Sequence, residues 1–350
     1  MRVCFFGIYN SNYSRNRVLM RGFKMNGYDI VECKVDPKKN SKIKKFWNLY
    51  KEYKKIKGKF DYVIVAYPGH SVVWLARLLF GKDIIFDAFL SIYNSNVLDR
   101  KLYSLFSIRG VKDYFLDWYS IRLSKIVLLD TNEHIKYFSK TFHINKDKFV
   151  RVFVGSDNSI MYPEKRRFSN NNFIVEFHGS YIPLQGIDVI VKAAKILEID
   201  KSIIFNLIGG GQEYGRIKKM INDLGVKNIN LINTCPQDII RNYINDADVC
   251  LGIFGEGIKT GIVIPNKVFE AIACKKTVIS AKTSAIVELF NDKEDIILSN
   301  INDEEDLASK ILLLKNNKSL LSRISNGGFD LYSKRLRPEL LARDLLIELA

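Results

Sequence analysis

Residues 261–279 read GIVIPNKVFEAIACKKTVI, and the fold of the chain can be worked out from this stretch. Proline suits the first turn of a helix and asparagine can accept hydrogen bonds from free amides there, so a helix is predicted to start at Pro265 and Asn266. An apolar strand that ends in a glycine-rich loop precedes it, VCLGIFG at residues 249–255. The free amides and the positive end of the helix dipole therefore face that loop, which favours the binding of phosphate.

Two charged side chains follow on the predicted helix. Lys267 adds a full positive charge to its first turn, and Glu270, one turn later, can accept hydrogen bonds from a pair of hydroxyl groups such as those of a sugar. The alternative is an ordinary capped helix whose lysine and glutamate lie on its solvent-exposed face, because caps of this kind are common. The stretch by itself is compatible with both interpretations.

The length and composition of the chain argue against several classes of protein. At 350 residues the chain is long enough for two domains, and no apolar run approaches the roughly 18 residues of a membrane span. Residues 1–6 enter a strand without a signal-peptide pattern, so we expect a cytoplasmic protein. The five cysteines form no C-x-x-C pair and the four histidines form no metal-binding motif, so neither a metal nor another bound cofactor is expected. The net charge of +16 indicates a polyanionic partner or surface.

The first part of the chain alternates strands with helices or loops, which is typical of a parallel sheet. The predicted strands are residues 2–6, 29–33, 62–66, 83–86 and 126–129. Gly7 ends the first strand, and the apolar stripe of residues 15–26 predicts a helix after it. Only one glycine lies in this turn, so the G-x-G-x-x-G fingerprint of dinucleotide-binding proteins is absent.

A second alternation begins after residues 163–172, a polar and basic segment that we interpret as a linker. Its predicted strands are residues 173–177, 203–208, 229–232, 248–252, 277–279 and 295–298. The predicted fold class is therefore α/β, with two Rossmann-like, doubly wound parallel sheets whose ligand crevices face one central cleft. The predicted domains are residues 1–160 and 161–334, and residues 335–350 form a helix that packs back on the first domain.

Two segments of unusual composition have two interpretations each. Residues 34–59 hold eleven lysines against two acidic residues, a balance of +9, with aromatic residues between them. They form either an amphipathic helix on the anionic inner face of a membrane, where each basic residue contributes about 1 kcal/mol, or a solvated helix whose aromatic side chains pack on the sheet. Residues 98–124 either bind an acceptor through aromatic stacking and cation–π contacts or belong to the core.

The motifs, taken in order, resemble those of the GT-B-fold glycosyltransferases of family four, the glycosyl transferases group 1. The segment IPNKVFEAIACKKTVI at residues 264–279 resembles their nucleotide-sugar-binding helix. Three earlier motifs resemble the first loop of their second domain, their glycine turn and the strand that leads to their donor site: FHGS at 177–180 with GID at 186–188, IGGG at 208–211 and NDADV at 245–249. The resemblance is strong over residues 173–281 and continues in motif order over the first domain.

This resemblance implies the transfer of a sugar, with retention at the anomeric carbon and without a metal, from a nucleotide diphosphate donor to a glycan or lipid-linked acceptor. The setting would be the assembly of cell-surface polysaccharide or glycolipid. Asp87, Lys267 and Glu270 would be catalytic, and Glu270 would hold the ribose of the nucleotide. The residues that the resemblance places around the donor are Gly7, Arg15, Gly179, Ser180, Gln185, Gly209, Gly210, Gly211, Thr234, Gly261, Ile262, Asn266, Lys267 and Glu270.

The chain departs from the family pattern in its charged residues. The family usually has a second glutamate eight positions before Glu270, where this chain has Ile262, so other groups, such as the amides of residues 261–263, would contact the donor sugar. Ser180 and Gln185 stand where a basic pair is often found, and a loop that often carries His-Asp reads Phe-Asp here. The candidates to replace the missing positive charge are Arg15, Arg17 and His178.

Two other classes of protein fit the sequence less well. An oxidoreductase on Rossmann-like domains would need the dinucleotide fingerprint, but Gly215 comes one residue too late and the next strand ends at Ile232 and Asn233, without an acid for a ribose hydroxyl. A nucleic-acid-binding protein is suggested by the net charge, but the basic residues concentrate in residues 34–59 and match no known module. We therefore expect no nucleic-acid partner, and the sequence indicates no particular oligomeric state.

Overall fold

The structure is a computed structural model, and it describes residues 1–37, 42–167 and 172–349. The chain divides into two compact units. Unit 1 contains residues 1–157 together with the chain from residue 337 onward, and unit 2 contains residues 158–336. Parts of the predicted basic segment and linker, residues 38–41 and 168–171, lie outside the described residues, as does position 350.

The described part of unit 1 has six parallel strands in the order β2-β1-β3-β4-β5-β6. The strands are β1 (Arg2–Ile8), β2 (Asp29–Val35), β3 (Tyr62–Val65), β4 (Ile84–Phe89), β5 (Ile126–Leu129) and β6 (Phe149–Arg151). The helices between them are α1 (Ser14–Met25), α2 (Lys42–Lys55), α3 (Val73–Phe80), α4 (Ile108–Leu123) and α5 (Asn132–Phe142). Every residue of β4 is buried, as expected when helices cover both faces of a parallel sheet.

Unit 2 repeats this architecture, with six parallel strands among its described residues in the order β12-β11-β10-β7-β8-β9. The strands are β7 (Phe173–Ser180), β8 (Ile203–Gly210), β9 (Ile229–Ile232), β10 (Val249–Leu251), β11 (Thr277–Ala281) and β12 (Ile297–Ser299). Its helices are α6 (Ile187–Ile196), α7 (Tyr214–Asp223), α8 (Gln237–Asp246), α9 (Ile258–Ile262), α10 (Asn266–Ala273), α11 (Glu304–Asn316) and α12 (Lys318–Leu331). A last helix, α13 (Pro338–Leu349), belongs to unit 1.

The predicted fold class, α/β with two doubly wound parallel sheets, is confirmed. The sequence reading did not find β6, which is too short for periodicity, or α12, which contains two glycines. Both glycines are explained by close packing. A side chain at Gly327 would overlap the carbonyl oxygen of Glu294, and one at Gly328 would come within 2.9 Å of Ile272 on α10. None of the described helices combines the length and the apolar character needed to cross a bilayer.

The order of the strands in unit 2 creates a switch point beside β7. From β7 the chain builds outward through β8 to β9 and then returns to place β10 on the other side of β7. The carboxyl ends of β7 and β10 therefore border the crevice in which ligands of such sheets bind. Strand β7 runs three residues beyond its predicted end, and β8 runs two residues beyond its own. A glycine is required at position 209, near the end of β8, because a side chain at that position would overlap the Gly179 carbonyl oxygen.

Helix α13 packs against α1 at Gly22. A side chain at this position would overlap the backbone carbonyl of Pro338 and would bring a Cβ within 2.7 Å of the Ala342 Cβ. The Asn26 side chain also donates a hydrogen bond to the Glu339 carbonyl oxygen, at 2.9 Å. The close approach of the two helices thus depends on the absence of a side chain at Gly22.

We predict that Gly22→Ala destabilises the protein by about 1–3 kcal/mol, because the added methyl group must force α13 away from α1. The matched control is Gly215→Ala on α7, where nothing lies within 4 Å of the new methyl group. Because alanine favours helix, the control should be neutral or more stable by up to about 1 kcal/mol. Urea unfolding followed by circular dichroism measures both. Equal transition midpoints for the two variants would contradict the packing that we describe.

Candidate functional site

Helix α10 begins beside the switch point of unit 2. It begins at Asn266, and Pro265, which has extended backbone angles (φ −71°, ψ 144°), is its N-cap residue. The Pro265 carbonyl accepts a hydrogen bond from the Val268 amide at 3.0 Å. No side chain in the described part of the chain caps this end of α10, so the predicted capping by Asn266 is wrong. The first amides of the helix therefore keep their capacity to bind a ligand.

The ammonium group of Lys267 is buried at the end of β7. Its side chain is about 6% exposed, its Nζ donates to Gln185 Oε1 at 2.5 Å, and the same Nζ lies 3.5 Å from the centre of the Phe177 ring. Gly179 leaves room for it, since a Cβ there would lie 3.0 Å from Nζ. Burial lowers the pKa of Lys267 well below its usual range, against the opposing attraction of Glu176 and Glu270. A ligand anion beside Nζ would raise this pKa and so favour the protonated form of Lys267.

His178 connects Glu270 to a second carboxylate, that of Glu176. The His178 ring contacts Glu176 Oε1 through Nδ1 and Glu270 Oε2 through Nε2, both at 2.8 Å, and all three side chains are buried. Burial alone would lower the pKa of His178, but the two carboxylates outweigh burial and raise it to about 9. The ring is therefore a cation at neutral pH, and it fixes Glu270 through one carboxylate oxygen.

The glycine turn after β8 lies against the loop after β7. Gly211 has a φ of +146°, and a side chain on it would come within 2.9 Å of the Tyr181 carbonyl oxygen. The Tyr181 amide in turn donates to the Gly210 carbonyl oxygen at 2.9 Å. Thr234, in the exposed loop after β9, places its Oγ1 3.7 Å from the position of a Cβ on Gly210. The loops after β7, β8 and β9 thus form one continuous edge of the sheet, on which Ser180 is exposed.

The short helix α9 contains two further predicted site residues. Ile262 is buried, at 8% exposure, so an apolar side chain fills the place where the family usually has a glutamate. The Gly261 amide donates to the Gly257 carbonyl oxygen at 3.4 Å, and the Gly261 carbonyl accepts from the Ala285 amide at 3.0 Å. The Gly261 amide therefore has a partner within the protein, and the expectation that the amides of residues 261–263 contact a donor sugar stays a prediction.

The predicted site residues Gly7, Arg15 and Asp87 lie in unit 1, where Arg15 and Asp87 form a fully buried ion pair. Arg15 Nη2 lies 3.0 Å from Asp87 Oδ1, and Arg15 Nε lies 3.1 Å from Asp87 Oδ2. Arg15 also donates to the carbonyl oxygen of Val152, at 2.5 Å. Each charged group is paired with the other, and the donor-binding role expected for Arg15 and the catalytic role expected for Asp87 stay predictions.

Glu176 is the site residue that the sequence reading missed. A signal for it was present, since a glutamate lies in the middle of an otherwise apolar predicted strand, two residues before His178. Residues i and i+2 of a strand point to the same face, so the two side chains were bound to be neighbours. The sequence does not show that Glu270 contacts His178, because Glu270 lies 92 positions after His178 in the chain.

Comparisons with known proteins concern the family and the fold of the chain. Residues 160–330, nearly the whole of unit 2, match the family of the glycosyl transferases group 1. An uncharacterized glycosyltransferase of Methanocaldococcus jannaschii is 24% identical over 237 residues, which cover 65% of this chain and 59% of that protein. Unit 2 is therefore similar to the glycosyl transferases group 1 domains, while the region matched to the archaeal protein leaves about two fifths of that protein uncovered.

Two solved structures have the same fold over almost the entire chain. Sucrose-phosphate synthase of Thermosynechococcus elongatus has a TM-score of 0.77 at 12% identity, with 99% of this chain and 98% of that chain covered. HepE of Anabaena, crystallised with UDP-glucose, has a TM-score of 0.72 at 13% identity, with 100% and 99% covered. At these identities the likeness concerns the fold, which is GT-B.

We predict that Glu176→Gln lowers the pKa of His178 from about 9, because it removes one of the two carboxylates that oppose burial. The native value lies above the usual 6.5, so protonated His178 contributes stability that is full below about pH 6.5 and is lost as the pH rises through about 9. Titration of the histidine resonances by NMR measures the change, with solvent-exposed His143 as the reference in the same spectra. A pKa that stays near 9 in this isosteric variant would refute the role of Glu176.

Proposed function

We propose that this protein is a glycosyltransferase that binds a nucleotide diphosphate sugar at the carboxyl edge of the sheet of unit 2 and transfers the sugar to an acceptor hydroxyl group. The observation that carries the proposal is the placement of Lys267 and Glu270 on the first turns of α10, beside the switch point, in a domain that matches the glycosyl transferases group 1. HepE, which shares the fold, was crystallised with UDP and with UDP-glucose, and this supports a donor of that class.

In the proposed reaction Lys267 and the first amides of α10 bind the diphosphate. The bond between the anomeric carbon and the diphosphate oxygen breaks, and negative charge accumulates on the departing phosphate. An ammonium group and helix amides that are already in place stabilise that charge without further reorganisation. An arriving anion also opposes the effect of burial, which lowers the pKa of Lys267 in the free protein.

Glu270 is proposed to hold the ribose. His178 Nε2 is hydrogen-bonded to Glu270 Oε2. Glu270 Oε1 has no hydrogen-bond partner among the described residues of unit 2. A carboxylate oxygen accepts hydrogen bonds and cannot donate them, so it suits a vicinal diol. The contact with the His178 ring holds the carboxylate of Glu270 in one rotational position, which favours a single orientation of the nucleoside.

The further parts of the proposal rest on the family resemblance. They are retention at the anomeric carbon, an acceptor that is a glycan or a lipid-linked molecule, and a place in the assembly of cell-surface polysaccharide or glycolipid. The positive charge that compensates the diphosphate comes from Lys267 and backbone amides, so the proposed reaction assigns no step to a metal or a bound cofactor.

Nucleotides identify the donor class most directly. We predict that one of UDP, GDP and ADP, or its sugar derivative, raises the melting temperature of the protein, because a ligand that binds only the folded state stabilises it. The corresponding nucleosides are the control, since they lack the diphosphate and should give a smaller shift. Equal shifts for nucleoside and nucleoside diphosphate would contradict the role of Lys267.

We predict that Lys267→Ala and Glu270→Ala each lower kcat/KM for the donor by at least about tenfold, a loss of about 1.4 kcal/mol of transition-state stabilisation. Lys267→Ala should weaken binding of the diphosphate, and Glu270→Ala should weaken binding of the nucleoside. Lys218→Ala, on the exposed face of α7, removes an equal charge outside the site and should leave transfer unchanged. If both site variants retain full activity, the donor site lies elsewhere.

A further inference from the structure

Unit 1 exposes a group of large apolar side chains at the start of α4. We call it the α4 patch, and it consists of Leu102, Leu105, Phe106, Ile108, Val111 and Phe115. Phe106 is 93% exposed and Ile108 is 89% exposed, so both side chains project almost fully into solvent. Single exposed apolar residues are ordinary, but a contiguous group of this size indicates an interaction surface.

The position of the patch on α4 is unusual for a helix that covers a sheet. The inner face of α4 buries Gly110, Asp117 and Ile121, and such a helix normally carries polar residues on the opposite face. Here the opposite face carries Ile108, Val111 and Phe115, which follow the i, i+3, i+7 spacing of one helical stripe. The helix therefore has an apolar stripe on its outer side as well as a buried inner side, and this stripe stays largely exposed among the described residues.

The segment that carries the patch is held in one conformation. The Ser107 side chain caps α4 by accepting from the Gly110 amide at 3.1 Å, and it donates to the Ser104 carbonyl oxygen at 2.7 Å. Asp113 accepts from the Tyr103 hydroxyl at 2.6 Å and from Asn96 Nδ2 at 2.8 Å. The exposure of Phe106 and Ile108 is therefore built in, and a partner would not need to order this turn first.

The charges beside the patch are mainly positive. Residues 99–115 contain four basic residues and two acidic ones, and the whole chain carries a net charge of +16. Lys101, Arg109 and Lys112 are exposed next to the apolar side chains, whereas the acidic Asp113 is engaged in the hydrogen bonds just described. An apolar projection with basic neighbours is complementary to a bilayer whose headgroups are anionic.

We propose that the α4 patch docks this protein on an anionic lipid bilayer, with Phe106 and Ile108 inserted at the acyl boundary and Arg109 and Lys112 at the lipid phosphates. A second copy of the chain fits less well, because a two-fold interface would bring the same basic residues together and side chains that project fully offer no complementary pocket. The proposal does not depend on the donor site of unit 2, since docking can be measured without turnover.

The basic helix α2, first considered for this role, is less suited to insertion. Its Leu49 is fully buried, and Phe46 and Tyr53 pack against the core of unit 1, so its aromatic residues largely cover the sheet. Among its described residues Trp47 is the exposed large apolar one, at 58%, and Lys51 lies over its ring at 5.6 Å. Helix α2 can add charge near the headgroups, whereas the α4 patch supplies the apolar contact.

Flotation with vesicles tests the proposal. The full-length protein should bind vesicles of phosphatidylcholine mixed with phosphatidylglycerol and bind pure phosphatidylcholine more weakly. Phe106→Ser with Ile108→Ser should lower the partition coefficient at least about tenfold, because two apolar side chains no longer leave water. Ile199→Ser is the matched control, since Ile199 of unit 2 is 91% exposed and lies outside the α4 patch, and it should bind like the original protein. The side chains of Phe106, Ile108 and Ile199 are all exposed. The variants should therefore melt at the same temperature as the original protein, and this measurement verifies that they are folded.

Two further comparisons make the outcome decisive. Arg109→Gln with Lys112→Gln should remove the preference for phosphatidylglycerol, whereas Lys51→Gln with Lys54→Gln on α2 should reduce binding by less than about threefold. In Phe106→Trp the fluorescence of the added tryptophan should be quenched by brominated lipid, and in Ile199→Trp it should not be quenched.

The proposal is overturned if the original protein does not bind the mixed vesicles, if the Phe106 and Ile108 variant binds them equally well, or if the α2 variant alone loses binding. It is also overturned if the patch variant changes only the oligomeric mass, which would assign the patch to a second copy.

Discussion

The burial of charge at the end of β7 is the constraint on which the architecture of the site depends. A charge inside a protein is tolerated when it is paired and hydrogen-bonded, and removal of one partner leaves the other at a high cost. His178 lies between two carboxylates at 2.8 Å each, and Lys267 is held by the Gln185 carboxamide and the face of Phe177. These contacts can form together only if β7, its following loop and α10 take one relative arrangement, so the charges specify the packing of these elements.

The same contacts give a physical account of two departures from the family pattern. A lysine or arginine at position 185 would bring a second cation to the place where Gln185 Oε1 now lies, 2.5 Å from Lys267 Nζ. A neutral acceptor at this position is therefore what a buried Lys267 requires. Ile262, in the place of the usual glutamate, is buried, so an apolar contact stands where a carboxylate would contact a ligand.

Unit 1 buries two charged side chains and exposes two large apolar ones, which is the reverse of the usual pattern. Arg15 and Asp87 are completely buried, and Arg15 ties the end of β4 to the backbone at Val152 and Phe153. The pair thus contributes to holding the end of β4 within unit 1. Phe106 and Ile108, by contrast, project into solvent from a turn held by hydrogen bonds. The burial of Arg15 and Asp87 and the exposure of Phe106 and Ile108 follow from pairing and packing and could not be inferred from residue type.

The sequence by itself determined the α/β class, the two doubly wound sheets, most strand positions and the location of α10, because apolar periodicity and helix-start residues are local signals. It also selected Lys267 and Glu270 through their spacing on one helix. Only the tertiary structure decided which side chains complete the site, since Glu176, His178 and Glu270 meet across 92 positions of chain through the pairing of parallel strands and the packing of α10. It likewise decided that Arg15 and Asp87 face each other and that α4 is apolar on its outer side, because both depend on what surrounds a residue in space, which no local pattern records.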